Sequence, residues 1–252
     1  MSVLKQAGLT LKFHPVGCLN LLRAIIFDFD GTIVNSEPLV CKLTQQMAAL
    51  EGWTLTEEEY YHTYLALDDR GIVEHLYHSH GRPLDCARRD ELVEWKARAY
   101  WEAIQDGLPA FPGAGEFVRK VAAQFPLAIA SGSLRAEIEY LLQKLGLLDA
   151  FAVLATADDV AHSKPNPEVF LKALARLSVA AFNPSGGHTL LLAAECLVIE
   201  DAPAGVEAAH AAGMKCLALA QSRPRDELRQ AEWVYGNFTE VDFGKIRSGF
   251  PE

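Results

Sequence analysis

The chain has 252 residues, 50% of them hydrophobic, and a formal net charge of −10 from 33 acidic against 23 basic side chains. That is enough apolar material for one sizeable core plus a smaller accessory unit, and no run is long and uniformly apolar enough to cross a bilayer. The acidic balance argues against nonspecific binding to nucleic acid or to an anionic membrane surface.

Residues 1 to 21 contain Lys5 and Lys12 but no acids, which permits a targeting reading, but with no clear secretory hydrophobic region they read as a short, flexible N-terminal extension or as the product of an upstream start. The first strong signal follows at once. Ala24-Ile25-Ile26-Phe27-Asp28-Phe29-Asp30-Gly31-Thr32 is an apolar run ending in two carboxylates and a glycine. The run predicts a strand over 22–29, covered on both faces as in a parallel sheet. Asp28 then falls at the carboxyl end of that strand, the edge at which open α/β sheets bind ligands. A carboxylate there must be solvated, paired or metal-bound, because burying it alone costs several kcal/mol.

A helical block from about 36 to 106 comes next, too long for an ordinary connection. We read residues 36–107 as a helical cap domain inserted in a core made of 22–35 and 108–252. Leu43, Met47 and Leu50 fall at helical spacing, Glu57 to Leu67 reads as helical, and Glu91 to Ile104 carries Leu92, Trp95 and Trp101 as packing positions. His75, His78 and His80 lie close together, but no fourth ligand is evident and they read as surface residues near a helix end.

Beyond the block the pattern alternates: helix 113–124, strand 126–131, helix 134–145, strand 151–155, helix 167–177, strand 196–200, helix 203–212, strand 214–219 and a short strand near 233–235. Alternation of this kind implies a parallel sheet with right-handed crossovers. The fold class expected is α/β, a doubly wound, Rossmann-like parallel-sheet core with a smaller all-helical cap. The stretch from Leu177 to Glu195, with Asn183-Pro184-Ser185-Gly186-Gly187, reads as a surface insertion. Five cysteines, Cys18, Cys41, Cys86, Cys196 and Cys216, show no close pairing and read as reduced thiols of a cytoplasmic protein. Asn237-Phe238-Thr239 fits a glycosylation sequon but has no secretory context.

Four stretches carry a family resemblance. Asp28-Phe29-Asp30-Gly31-Thr32 resembles the first motif of the haloacid dehalogenase superfamily in its phosphatase form. Pro126-Leu127-Ala128-Ile129-Ala130-Ser131-Gly132-Ser133 resembles the second, Ser163-Lys164-Pro165-Asn166-Pro167-Glu168 the third, and Cys196-Leu197-Val198-Ile199-Glu200-Asp201-Ala202-Pro203-Ala204-Gly205 the fourth. The motifs occur in the family's order over roughly residues 22 to 235, and all lie at or just after predicted strand ends.

The resemblance implies hydrolysis of a small-molecule phosphate monoester through an aspartyl-phosphate intermediate, with the sugar phosphates as one candidate class. Asp28 would be the nucleophile. Asp30 would protonate the leaving oxygen and then deprotonate the attacking water. Ser131, Gly132 and Lys164 would hold the phosphoryl group, helped by the positive end of a helix starting near Leu134. Mg2+, which prefers oxygen donors, suits Asp28, the Asp30 backbone carbonyl and one or both of Glu200 and Asp201. The family also implies a mobile cap that closes over the sheet edge, for which Arg70, on a turn before a helix, is the candidate substrate contact. A monomer or weak dimer is expected.

Three other functions compete. A dehalogenase of this superfamily would not need Asp30. A β-phosphoglucomutase-like mutase shares the Glu200-Asp201 form of the fourth motif, but that relative has a histidine in the first cap segment, where this chain reads Asn35-Ser36-Glu37-Pro38-Leu39-Val40. A noncatalytic phosphate-binding regulator would have no use for the intact set of Asp28, Asp30, Ser131, Lys164 and Asp201.

Overall fold

Ala24-Ile25-Ile26-Phe27 forms the first strand, β1 (Ala24–Phe27), and none of its four side chains meets solvent. The structure is a computed structural model, and it describes residues 21–65, 67–180 and 190–250. The expectations for residues 1 to 20, including Cys18, and for Asn183 to Gly187 lie outside the described residues. Four helices follow β1: α1 (Glu37–Leu50), α2 (Glu57–Glu59), α3 (Asp69–Ser79) and α4 (Cys86–Ala103). The remaining elements are α5 (Ala114–Ala122), β2 (Leu127–Ala130), α6 (Arg135–Lys144), β3 (Val153–Ala155), α7 (Glu168–Ala180), β4 (Cys196–Glu200), α8 (Pro203–Ala211), β5 (Lys215–Leu219), β6 (Trp233–Tyr235) and α9 (Phe243–Ser248).

The six strands form one wholly parallel sheet in the order β3-β2-β1-β4-β5-β6. Because side chains alternate along a strand, each strand feeds two apolar layers. Ile25, Phe27, Leu127, Ile129, Leu197 and Ile199 pack with Phe117, Val121, Leu141 and Ile246 on one face. Ala24, Ile26, Ala128, Ala130 and Val198 pack with Phe170, Ala173, Val206 and Ala209 on the other. Burial of each large side chain contributes about 1.5–3 kcal/mol. The strand order reverses between β1 and β4, and a crevice at that reversal is where such sheets bind ligands.

The helical insertion has an apolar cluster of its own, built on Met47, Tyr60, Tyr64, Ile72, Leu76, Tyr77 and Leu92. Glu51 ties its helices together, accepting from Tyr77 Oη at 2.7 Å and from Arg88 Nη2 at 2.5 Å. The chain leaves the core at Val34 and returns beside it, where Val34 pairs with Ala110 and Asn35 N–H donates to Pro109 O.

Several boundaries differ from the sequence expectation. Asp85 accepts the Arg88 N–H at 2.7 Å, so α4 begins at Cys86 rather than near Glu91. The helix expected over Glu57 to Leu67 changes to a π turn at Tyr60–Tyr64, closed by Leu65 N–H on Tyr60 O, with both tyrosine rings buried. Leu50 and Trp101, read as packing positions, are 53% and 40% exposed. Helix α9 had no separate sequence signal, and its Phe243 and Ile246 complete the first apolar layer.

Candidate active site

The carboxyl edge of the sheet gathers the acids from opposite ends of the chain. Asp28 N–H continues the β1 ladder by donating to Ile199 O at 2.8 Å, which sets its side chain beside the end of β4. Phe29 turns into the core and is fully buried, so Asp30 emerges on the same side as Asp28. Gly31 then reverses the chain with φ +77, a conformation costly for other residues, and a Cβ there would also overlap the Asp201 carboxylate. Glu200 ends β4 and Asp201 follows it, Ser131 follows β2, and Lys164 lies on the connection between β3 and α7, where its peptide bond to Pro165 is cis.

Lys164 joins three of these segments. Its Nζ donates to Asp28 Oδ1 at 2.5 Å, to Glu200 Oε1 at 2.7 Å and to Ala130 O at 3.0 Å. The second oxygen of Glu200 accepts the N–H groups of Asp201 and Ala202 at 2.9 and 3.1 Å. Glu200 is therefore hydrogen-bonded through both oxygens. A Cβ on Gly205, one turn into α8, would collide with it. Asp201 has a different environment, accepting from Thr32 Oγ1 at 3.3 Å and from the Ser222 hydroxyl, with no ion pair among the described residues.

The charges strain one another. Burial pushes the Asp28 carboxyl up from 3.8 to about 7, with Glu200 and Asp30 adding to the rise and Lys164 opposing it. Burial, then Glu200 and Asp28, drive Asp201 well above the ordinary carboxylate range. Burial also works against the Lys164 charge, but Asp28 and Glu200 outweigh it and raise its pKa.

Asp28, Glu200 and Asp201 each offer a carboxylate oxygen, and these oxygens lie within 4.8 Å of one another. The donor set is all oxygen, buried and in excess of negative charge, which fits a hard divalent cation. The Asp30 carboxylate is outside this cluster and accepts from Ser133 Oγ at 2.5 Å.

Two residues of the helical insertion, Glu37 and Tyr100, and Glu137 of α6 feel the field of this edge. Burial raises the pKa of Glu37, which accepts a hydrogen bond from Tyr60 Oη at 3.1 Å. Burial likewise raises Tyr100, and it lifts Glu137 of α6 to about 7. All three feel the charge of Asp30. Arg223, after β5, donates to Leu65 O at 3.5 Å and lowers Glu37 in turn.

Of the residues singled out from sequence, Asp28, Glu200 and Lys164 are in direct contact through one ammonium group. Asp201, Ser131 and Gly132 lie at the same sheet edge. Arg70 is exposed on the first turn of α3 and makes no hydrogen bond or ion pair with any of them among the described residues. Sequence reasoning missed Ser133, Gln221, Ser222 and Arg223. Ser133 stood inside a quoted motif, and the other three follow a predicted strand at the shared edge. Gln221 Nε2 donates to Thr32 O at 3.0 Å and so braces the first acidic turn.

Comparison with known proteins gives the family. A model of the haloacid dehalogenase-like hydrolases matches residues 22–213. Protein CbbY of Rhodobacter capsulatus is 31% identical over 224 residues, covering 84% of this chain and 92% of the relative. Validoxylamine A 7'-phosphate phosphatase of Streptomyces hygroscopicus subsp. limoneus is 30% identical over 238 residues, covering 90% and 99%. Among solved structures, β-phosphoglucomutase from Clostridium difficile shares the fold with a TM-score of 0.76 at 20% identity, covering 91% of this chain and 97% of that one. Two acids after β1, a hydroxyl after β2, a largely buried lysine and an acid pair at the end of β4, on a sheet of this order, accompany that match, and the chain belongs to the haloacid dehalogenase-like hydrolases.

Proposed function

We propose that this hydrolase is a Mg2+-dependent phosphatase of a small phosphorylated metabolite in the sugar or polyol phosphate class, and that residues 36–107 act as its cap. The observation that carries the reading is the Lys164 ammonium shared by Asp28 and Glu200, beside the carboxylate cluster that these two form with Asp201. Asp28 attacks phosphorus to form an aspartyl-phosphate, Lys164 orients Asp28 and binds a phosphate oxygen, and Ser131 with the adjoining N–H groups holds the other oxygens. Asp30 moves the proton to the leaving oxygen and then from water. Asp28, Asp201 and the Asp30 carbonyl would hold Mg2+, with Glu200 supporting them through Lys164 and the start of α8. When bound, Mg2+ supplies the positive charge that lets the carboxylates and an anionic substrate share one site.

The substrate class draws on the relatives, which include validoxylamine A 7'-phosphate phosphatase and hexitol phosphatase B of Escherichia coli. Phosphate release from a panel of phosphorylated sugars, polyols and short acids, with and without Mg2+, tests the reading. Metal-dependent release that disappears in Asp28→Asn is the expected result. Interconversion of a hexose 1-phosphate and 6-phosphate without phosphate release would instead assign a mutase.

A further inference from the structure

The turn after β2 contains a contact with no role in the scheme above. Ser133 Oγ donates to Asp30 Oδ2 at 2.5 Å across 103 residues of sequence. The turn that carries Ser133 is itself fixed on both sides. Its N–H donates to Ser131 Oγ at 3.0 Å, and its carbonyl accepts from Ala157 N–H at 3.1 Å. The next N–H, of Leu134, is taken by Glu137 Oε2 at 3.2 Å.

We infer that Ser133 is a positioning residue for the acid–base carboxyl of Asp30, an inference that rests on the phosphatase reading. A carboxyl group has two equivalent oxygens and a freely turning Cβ–Cγ bond, and Asp30 makes no ion pair among the described residues. The Ser133 hydroxyl proton on Oδ2 leaves Oδ1 as the oxygen that exchanges protons with the substrate. In the first step an Asp28 oxygen bonds to phosphorus, the bond from phosphorus to the alcohol oxygen breaks, and the proton on Asp30 Oδ1 passes to that oxygen. In the second step a water oxygen bonds to phosphorus, its proton passes to Oδ1, and the phosphorus bond to Asp28 breaks to release phosphate. Both steps need Oδ1 directed at the line of the reacting bonds, and misorientation of a general acid forfeits its contribution, which is typically about 10²–10⁴-fold.

The need for that proton depends on the leaving group. An alkoxide leaves only with a proton, whereas a nitrophenolate spreads its charge over the ring and leaves without one. Because kcat/KM covers the steps through phosphoenzyme formation, the ratio of kcat/KM for the best alkyl phosphate of the panel to that for p-nitrophenyl phosphate isolates proton donation from phosphate binding. Measured on the full chain with Mg2+, Ser133→Ala is expected to lower this ratio about 10-fold or more, and Ser133→Thr, which keeps a hydroxyl, to restore most of it. An unchanged ratio in Ser133→Ala, whether both esters slow together or neither does, overturns the inference, since a role in phosphate binding or in folding the turn affects both alike. Wild-type protein that releases phosphate from neither ester overturns the phosphatase reading itself, and an Asp28→Asn variant that remains active overturns its nucleophile assignment.

Discussion

Lys164 Nζ lies 2.5 Å from Asp28 Oδ1, a contact spanning 136 residues of sequence, and the same ammonium reaches Glu200. Replacing Lys164 by Met leaves two buried carboxylates without their cation. Breaking a buried pair of this kind costs about 3–5 kcal/mol. Lys164→Met is expected to lower the midpoint of thermal unfolding in EDTA and to lower kcat by at least about 10²-fold with Mg2+ present. Calorimetry and steady-state kinetics on the same preparation check both.

Asp28 titrates in the opposite sense from an ordinary ion-paired acid. Its folded pKa is raised from 3.8 to about 7, chiefly by burial, so folding favours its protonated form. The stability this contributes is fully present below the unfolded pKa and is lost as pH rises through about 7. Asp28→Asn removes the titration. In metal-free buffer its melting temperature, relative to wild type, should therefore rise between pH 4 and pH 7, by more than the roughly 2 °C that 1 kcal/mol yields at this size. A flat difference across that range would show that Lys164 already holds Asp28 ionised.

The same substitution removes the proposed nucleophile. Asp28→Asn should reduce kcat by at least about 10⁴-fold while leaving the circular dichroism spectrum unchanged. Mass spectrometry of acid-quenched wild-type protein should show a phosphoryl adduct that the variant lacks.

Gly205 sits inside α8, where Ala is ordinarily better by about 1 kcal/mol. Here a Cβ would collide with the Glu200 carboxylate. Gly205→Ala should therefore destabilise the protein by about 1–3 kcal/mol and slow turnover, because displaced Glu200 releases Lys164 and the Asp201 N–H. Urea denaturation with a parallel activity assay measures the two effects.

Ser222 supports Asp201 from the segment after β5. A support of this kind typically tunes metal affinity about 10–100-fold. Ser222→Ala should raise the Mg2+ concentration for half-maximal activity by about 10-fold, with the KM for the phosphate ester at saturating Mg2+ nearly unchanged.

What was legible in the sequence followed from short-range chemistry. Ala24 to Thr32 combines an apolar run, two acids and a glycine, and local sterics with burial are enough to predict a covered strand, a carboxyl edge and a sharp turn. The alternation from Ala114 onward likewise predicted the parallel sheet, whose element positions agree within a few residues. The insertion was harder, because its tyrosine-lined π turn and the early start of α4 depend on packing and on the Asp85 cap rather than on apolar periodicity.

By itself, the sequence determined the fold class and the family, and it singled out the acids, hydroxyl and lysine that the candidate site gathers, since each stands in a contiguous motif at a strand end. Only the tertiary structure decided how they meet. It alone shows that Glu200 is hydrogen-bonded through both oxygens, that Asp201 is held by Thr32 and Ser222, and that Ser133 meets Asp30. Those relationships are set by the parallel pairing of β2, β1, β4 and β5, whose carboxyl ends share one edge. Thr32 and Asp201, 169 positions apart, and Asp30 and Ser133, 103 apart, are brought within hydrogen-bonding distance there, a relationship of which one-dimensional spacing carries no trace.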